Sequence, residues 1–196
     1  RSLSTIYYRQ AGGVDGVKET GLPGYNGLGY PPVKPQPGGN GRVVRAIARQ
    51  ESEFDRNRVS HAGARGMMQL MPGTAREEAG KIGVTYMSAN LTQSPSYNIR
   101  LGDAHFARLM DRYGGAYPLA IAAYNAGPGR VNEWLRLNGD PRTGAVDWVT
   151  WIEQIPSNFE TRYYVMRVIG NAVSYANMHP DRSAPYERDI ANYLRR

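Results

Sequence analysis

One almost uniformly apolar segment constrains the fold of this chain more than any other feature. Residues 117–126 read Tyr-Pro-Leu-Ala-Ile-Ala-Ala-Tyr-Asn-Ala, with no charged residue and no alternation of apolar and polar positions. A helix that is apolar on every side has to be surrounded by other elements, because no face of it suits water. The segment therefore predicts a buried helix over Tyr117 to Ala126, at the centre of a core built from further helices.

The rest of the chain from Asn40 onward also shows helical periodicity, and no alternating stretch of strand length occurs. The fold class is therefore predicted to be mainly α. We interpret Pro72-Gly73-Thr74 as a turn and Gly127-Pro128-Gly129 as a helix break. The further helices are predicted from the N-cap Asn40 to about Phe54 and over Ala75–Lys81, Tyr97–Tyr113, Val131–Leu137, Trp148–Ile155 and Glu160–Met178.

The amino end has a different composition. Residues 11–42 hold glycine and proline at a density that no helix or regular strand tolerates. The 196 residues suffice for one domain with a core of ordinary size. We expect an irregular Gly/Pro-rich segment or linker over 1–40, a helical domain over 41–180 and a C-terminal tail over 181–196.

Composition narrows the functional classes. Lys and Arg number 24 against 17 Asp and Glu, a net charge of +7 that favours anionic partners. A nucleic-acid binder is disfavoured, because basic and aromatic residues do not interleave along one element. There is no cysteine, the three histidines are far apart, and no phosphate-binding glycine loop occurs, so we expect no metal and no cofactor. No apolar run approaches the roughly 20 residues that span a bilayer.

Glu51 is the first candidate for chemistry. It continues the helical i, i+3, i+4, i+7 stripe of apolar residues that turns toward a core. A carboxyl group among apolar side chains has its charged form disfavoured, which raises its pKa and suits it to act as a general acid. The alternative is a structural glutamate paired with Arg45 or Arg49. The apolar members of the stripe are Val44, Ile47 and Ala48.

A second carboxylate is not evident. Most glycoside hydrolases flank the scissile bond with two carboxylates, but Asp55 lies at the expected end of the helix and Glu53 points elsewhere. Ser52 adds a hydroxyl beside Glu51, and the following loop carries Gln69 in a segment rich in glycine and methionine. A mechanism with one carboxylate therefore has to be considered.

Polar groups also end the buried helix. Tyr124 and Asn125 could present hydrogen bonds to a cleft, although helix capping by Asn125 explains that residue equally well. Glu153 and Glu160 lie close to aromatic residues in the sequence. The default interpretation of both is that they form ion pairs at the surface.

Taken together, these segments resemble the catalytic domain of soluble lytic transglycosylases, the Slt type related to goose-type lysozyme. The resemblance covers about 41–178, and its departures are Met67 for the commoner leucine and His105-Phe106 for the usual tyrosine-leucine. The first forty residues match nothing in that domain. The matching motifs occur in order over Glu51–Asp55, Ser60–Ala75, Asn98–Gly102, Ala123–Gly129, Trp151–Pro156 and Glu160–Val165.

The resemblance implies a single lysozyme-like α-helical domain that cleaves the β-1,4 bond between N-acetylmuramic acid and N-acetylglucosamine in peptidoglycan. The product would carry a 1,6-anhydromuramoyl end, with Glu51 as acid and then base, so that no second enzyme carboxylate is needed. The residues implied to line the substrate site are Ser52, Gln69, Met71, Tyr124, Asn125, Glu153, Glu160 and Tyr164.

The implied partners are peptidoglycan glycan strands and stem peptides, with a cell-wall or secretion complex left open. The implied location is the periplasm, reached by a signal that is absent from this chain, since Arg1 does not begin one. Two other functions stay open: a hydrolytic muramidase or chitin-type glycosidase, which would use the same Glu51, and a non-catalytic wall-binding module with the same fold.

Overall fold

A computed structural model describes residues 40–157, 159–179 and 183–195. Over these residues the chain is helical and forms no strand beyond isolated bridges that involve Arg65. The mainly α class is therefore confirmed. None of the helices described is long and apolar enough to cross a membrane. Apart from its last residues, the segment predicted to be irregular lies outside the described part of the chain.

The helices are named here in chain order. The α-helices are α1 (Gly41–Ser52), α2 (Pro72–Lys81), α3 (Asn90–Gln93), α4 (Pro95–Arg112), α5 (Tyr117–Ala126), α6 (Pro128–Asn138), α7 (Trp148–Glu153) and α8 (Thr161–Met178). Short 3₁₀ helices cover Pro141–Thr143, Pro185–Arg188 and Ile190–Leu194. The chain divides into two compact units, the first ending at His105 and the second beginning at Phe106. The boundaries expected from sequence, with one domain over 41–180, stay a prediction.

In the first unit, α1 buries the predicted apolar stripe. Val44, Ile47 and Ala48 are 4%, 0% and 3% exposed. The helix ends at Ser52 and not near Phe54 as predicted, because Glu53 and Phe54 both adopt left-handed backbone angles, with φ of 55° and 66°. The Glu53 N–H donates to the Arg49 carbonyl and closes the last turn.

The predicted turn at Pro72-Gly73-Thr74 is wrong. These residues form the first turn of α2, which begins at Pro72 with Met71 in an extended conformation before it. Proline suits this position because the first N–H groups of a helix have no partner within the helix, and its fixed φ is already helical. The same reasoning corrects the predicted break before α6, which begins at Pro128 after a single separating residue, Gly127.

In the second unit, α5 is the predicted buried helix, with the same bounds. All of its residues from Pro118 to Ala123 are buried, and it packs against α6 and α8. The helix α7 ends at Glu153, two residues before the predicted end, and Glu160 caps α8 instead of beginning it.

The carboxyl end of the second unit is structured where a tail was expected. The two 3₁₀ helices within residues 183–195 pack against α8, and the second of them also packs against α5. Tyr193 is 4% exposed, and its ring lies 5.2 Å from that of Tyr117. Tyr193 is therefore part of the core of this unit.

Candidate active site

Glu51 lies in the last turn of α1, one residue before the helix ends. It follows the buried stripe as the sequence predicted, and it is half-buried, whereas the neighbouring Glu53 is exposed. The left-handed turn at Glu53 leads the chain away from the helix immediately after this point. A half-buried glutamate is thus held at the end of a well-packed helix.

Ser52 connects this helix end to the loop that follows. Its hydroxyl is buried, at 2% exposure, and lies 3.1 Å from the Ala48 carbonyl oxygen and 2.8 Å from the Met67 carbonyl oxygen. The hydroxyl proton can be donated to either oxygen. Ser52 therefore fixes the backbone beside Glu51 to the loop that carries Gln69.

A buried asparagine supports the same loop from the other side. Asn98 is 0% exposed, and its Oδ1 accepts a hydrogen bond from the Met68 N–H at 2.8 Å. Its Nδ2 donates to the carbonyl oxygens of Arg65 at 2.9 Å and Leu91 at 3.0 Å. Sequence reasoning placed Asn98 in a matching motif but gave it no role. An asparagine inside an apolar helical stripe was the signal for it.

Gly66 permits this arrangement. Its φ is +75°, and a Cβ at this position would lie 2.0 Å from the Leu91 carbonyl oxygen and 2.4 Å from Asn98 Nδ2. No other residue type could occupy the position without moving the loop.

Gln69 has a strained backbone and a fixed side chain. Its φ is 46°, which is uncommon for a residue with a Cβ. Its Nε2 donates to the carbonyl oxygens of Gly66 at 2.8 Å and Arg58 at 3.1 Å. Within the part of the chain that the structure describes, Oε1 receives no hydrogen bond and is left as an acceptor. Met71, two residues further on, is 44% exposed.

The first unit also contains a buried ionisable pair that sequence reasoning did not find. Glu78 in α2 is 2% exposed, and its Oε1 lies 3.3 Å from His105 Nδ1 in α4. Burial lowers the pKa of His105, and the Glu78 carboxylate opposes that effect. The pair joins α2 to α4.

In the second unit, Asn125 joins the end of α5 to the start of α8. Its Oδ1 accepts a hydrogen bond from the Thr161 hydroxyl at 2.6 Å, and its Nδ2 lies 3.4 Å from Glu160 Oε1. Asn125 is thus bound to side chains of another helix, and it makes no side-chain cap at the end of α5. Four of the predicted site residues lie along these two helix ends: Tyr124, Asn125, Glu160 and Tyr164.

The two tyrosines of this group are packed to different extents. The half-buried Tyr124 ring contacts Phe106 edge to face, with centroids 6.4 Å apart. Tyr164 is 4% exposed and lies one helical turn after Glu160. Glu153, at the end of α7, is exposed and makes no hydrogen bond or ion pair with any residue that the structure describes.

An aromatic stack lies beside this group and was not found from the sequence. The Phe159 ring, one residue before Glu160, contacts Trp134 with centroids 5.4 Å apart. The Arg130 guanidinium carbon lies over the same ring, 4.4 Å from its centroid. Arg130 and Trp134 are four residues apart on α6, which places them on one face of that helix.

Potential metal ligands are not clustered. Residues 40–157, 159–179 and 183–195 contain no group of three or more His, Cys, Asp or Glu side chains that could hold an ion.

Comparison with known proteins identifies the family to which this chain belongs. The family model described as "Transglycosylase SLT domain" matches residues 34–145, more than half of the chain. The chain belongs to this family, and the resemblance drawn from its motifs is confirmed. The helical, lysozyme-like fold class is confirmed with it.

Individual relatives agree with the family. The chain is 37% identical over 138 residues to the soluble lytic murein transglycosylase of Escherichia coli. The aligned residues make up 70% of this chain but 21% of that protein. Among solved structures, it is similar to the inactive mutant of lytic transglycosylase Slt from Pseudomonas aeruginosa, with 41% identity, a TM-score of 0.65 and coverage of 74% of this chain and 22% of that one. The 70-kDa soluble lytic transglycosylase from Escherichia coli gives 34% identity, a TM-score of 0.68 and coverage of 79% and 24%. The chain thus spans about one fifth of the length of the soluble lytic murein transglycosylases it matches.

Proposed function

We propose that this chain is a peptidoglycan lytic transglycosylase that cleaves the bond between N-acetylmuramic acid and N-acetylglucosamine without water. The observation that carries the proposal is the setting of Glu51. Glu51 is half-buried at the end of an apolar helix, and the adjacent Ser52 is hydrogen-bonded to the loop that bears Gln69. A carboxylic acid residue that is partly screened from water and held by a packed helix has the fixed position that a general acid and base needs.

In the proposed reaction, protonated Glu51 donates its proton to the glycosidic oxygen as the bond from that oxygen to C1 of the muramic acid breaks. The acetamido group of the same sugar helps to stabilise the positive charge that develops at C1. The Glu51 carboxylate then takes the proton of the C6 hydroxyl while its oxygen bonds to C1. The enzyme returns to its protonated state, the leaving sugar holds the first proton, and the 1,6-anhydro ring is closed.

The remaining residues of the first unit bind and orient the sugars in this proposal. Gln69 presents Oε1 as an acceptor, because its amide nitrogen is fixed by two backbone carbonyls. Met71 offers an exposed apolar surface to a sugar face. Ser52 acts through position, since its buried hydroxyl holds the Met67 backbone beside Glu51.

In the second unit, the proposed binding residues are Tyr124, Asn125, Glu160, Tyr164 and Glu153. The Asn125 side chain holds the ends of α5 and α8 together, which fixes the half-buried Tyr124 for a hydrogen bond to substrate. Tyr164 is almost fully buried, so in this proposal it packs beneath the other binding residues of this unit. The exposed carboxylates of Glu160 and Glu153 are assigned to the stem peptide.

The relatives support the reaction and the location. Proteins named lytic murein transglycosylases match the chain, and the Pseudomonas aeruginosa Slt was solved as an inactive mutant in which a glutamate is replaced by glutamine. That replacement agrees with an essential carboxyl group. Because murein lies in the periplasm, we assign the chain to that compartment, with peptidoglycan as substrate and no cofactor.

The test is Glu51→Gln in the whole chain, assayed on purified sacculi with mass spectrometry of the products. The unaltered chain should release anhydro-ended muropeptides, and Glu51→Gln should lower the rate about a hundredfold or more, since glutamine cannot donate and recover the proton. The matched control is Glu53→Gln, because Glu53 is two residues away and exposed.

Three other results would contradict the proposed function. Products with hydrolysed reducing ends would identify a muramidase in place of a transglycosylase. Turnover retained in a folded Glu51→Gln chain would contradict the role of Glu51. Binding of sacculi without cleavage by the unaltered chain would identify a non-catalytic wall-binding module.

A further inference from the structure

Arg130 is an arginine whose position is fixed and whose charge is not used within the described residues. Its guanidinium carbon lies 4.4 Å from the centroid of the Phe159 ring. The residue is exposed at the start of α6, and its N–H groups make no hydrogen bond or ion pair in the described part of the chain. Stacking on an aromatic ring restrains the long side chain while its edge stays open to a ligand.

Two other arginines of this unit have partners within the chain. Arg142 makes a bidentate pair with Asp140, with Nη2–Oδ2 and Nε–Oδ1 distances of 2.6 and 2.9 Å. Arg162 donates to the Ile155 carbonyl at 2.7 Å. Arg130 differs from both because its planar fork faces solvent, in the geometry that matches a carboxylate.

The ring that holds Arg130 is itself fixed. Phe159 contacts Trp134, which is 3% exposed, so the stack has a buried base. Phe159 directly precedes Glu160, whose side chain lies beside Asn125. The stack therefore holds Arg130 against the residue that directly precedes Glu160, which the proposed function assigns to the stem peptide.

We propose that Arg130 is a specificity-determining residue that binds a carboxylate of the stem peptide carried by the glycan strand. The proposal rests on the proposed function for its choice of ligand, because stem peptides bring carboxylates close to the cleaved sugars. Glu160, the residue after Phe159, is exposed and acidic, and in this proposal it receives an ammonium group of the same peptide. A glycan strand without free carboxylates would gain nothing from Arg130.

The test compares kcat/KM on three soluble substrates: glycan strands with stem peptides, strands whose peptide carboxylates have been converted to carboxamides, and strands stripped of peptide by an amidase, with the lactyl carboxylates that this exposes also converted to carboxamides. In the unaltered chain we expect the first to be cleaved about threefold to tenfold better than the others, the range of a charge-assisted contact near solvent. Arg130→Gln should raise KM for the strands with stem peptides, so that the three substrates are cleaved equally well. Arg130→Lys should keep part of it, because charge remains and the fork is lost.

Arg136→Gln is the matched control, since Arg136 is exposed on the same helix and makes no hydrogen bond, ion pair or ring contact with the residues that the structure describes. It should keep the full ratio. An Arg130→Gln chain that also keeps it would overturn the proposal, and so would one that loses activity equally on all three substrates, the result expected of a merely structural stack. Thermal unfolding of each variant checks the fold.

Binding separates this proposal from the proposed reaction. Calorimetry with the Glu51→Gln chain and the same three substrates measures affinity without turnover. Tighter binding of the carboxylate-bearing strands that Arg130→Gln removes would support the role of Arg130 even if no variant cleaved glycan. Equal affinity for all three strands would overturn that role even if cleavage gave the anhydro product.

Discussion

The Asn98 side chain makes its three hydrogen bonds while fully buried. Replacing it with alanine would remove one hydrogen bond each from the Met68 N–H and from the Arg65 and Leu91 carbonyls; the Arg65 carbonyl would keep its bond from the Leu70 N–H. A buried polar group that is left unsatisfied costs about 1–3 kcal/mol. We therefore expect Asn98→Ala to lower the free energy of unfolding by about 2–4 kcal/mol, measured by urea denaturation, and to lower kcat because the Gln69 loop loses its support.

Asn57→Ala is the control for this change. Asn57 is an exposed asparagine of the same unit, and its side chain makes no hydrogen bond within the described residues. It should shift stability by less than about 0.5 kcal/mol. Equal effects of the two substitutions would show that the Asn98 network does not hold the loop.

Single residues differed in how far the sequence revealed them. Glu51 could be found because its neighbours bury a helical stripe, and a carboxylate stands out against that period. Asn98 was hidden because its three partners are backbone groups, and every residue type offers the same backbone groups. The stack of Arg130 on Phe159 joins residues 29 positions apart by number, and no local pattern encodes such a pairing.

The helix α4 approaches the Met67 to Leu70 loop through a glycine. A Cβ at Gly102 would lie 2.7 Å from Met68 Cγ and 2.8 Å from Met68 Cβ. Alanine is the better helix former by about 1 kcal/mol, yet here the contact includes the base of a buried side chain. We expect Gly102→Ala to lower the free energy of unfolding by about 1–3 kcal/mol, the usual cost of overpacking.

A second helical glycine supplies the comparison. Gly170 in α8 has no heavy atom within 4 Å of the place where a Cβ would lie. Gly170→Ala should therefore raise stability by up to about 1 kcal/mol. The pair Gly102→Ala with Met68→Ala should lose less than the sum of the two single changes. Stabilisation by Gly102→Ala alone would show that α4 is free to move away from the loop.

The existence of the longer helices followed from the sequence, but several ends did not. The sequence predicts breaks at Pro72 and Pro128 because proline removes a backbone donor. Both residues instead occupy the first turn of a helix, where that donor has no partner. The early end of α1 depends on left-handed angles at Glu53 and Phe54. Neither residue type favours those angles, so tertiary contacts and not local preference set that boundary.

The whole chain extends beyond its recognisable motifs, and the end that carries no motif is structured. The family model stops at residue 145, while Tyr193 is 4% exposed against α5. The Ser183 hydroxyl donates to the Ala176 carbonyl at 2.8 Å, and Asn177 Nδ2 donates to the Arg188 carbonyl at 3.0 Å. These contacts attach the segment 183–195 to the last turns of α8.

A chain that ends at Arg182 should therefore unfold at a lower temperature than the full chain, because it exposes apolar surface of α5 and α8. Tyr193→Ala should account for about 2–4 kcal/mol of the loss, in the range of large-to-small changes in a core. Ile190→Ala serves as the control: this side chain is 52% exposed, and its removal should cost less than about 0.5 kcal/mol. Calorimetric scans of the four proteins give the comparison. An unchanged melting temperature in the shortened chain would mean that the segment rests on the second unit without stabilising it, and the core would then be complete at the end of α8.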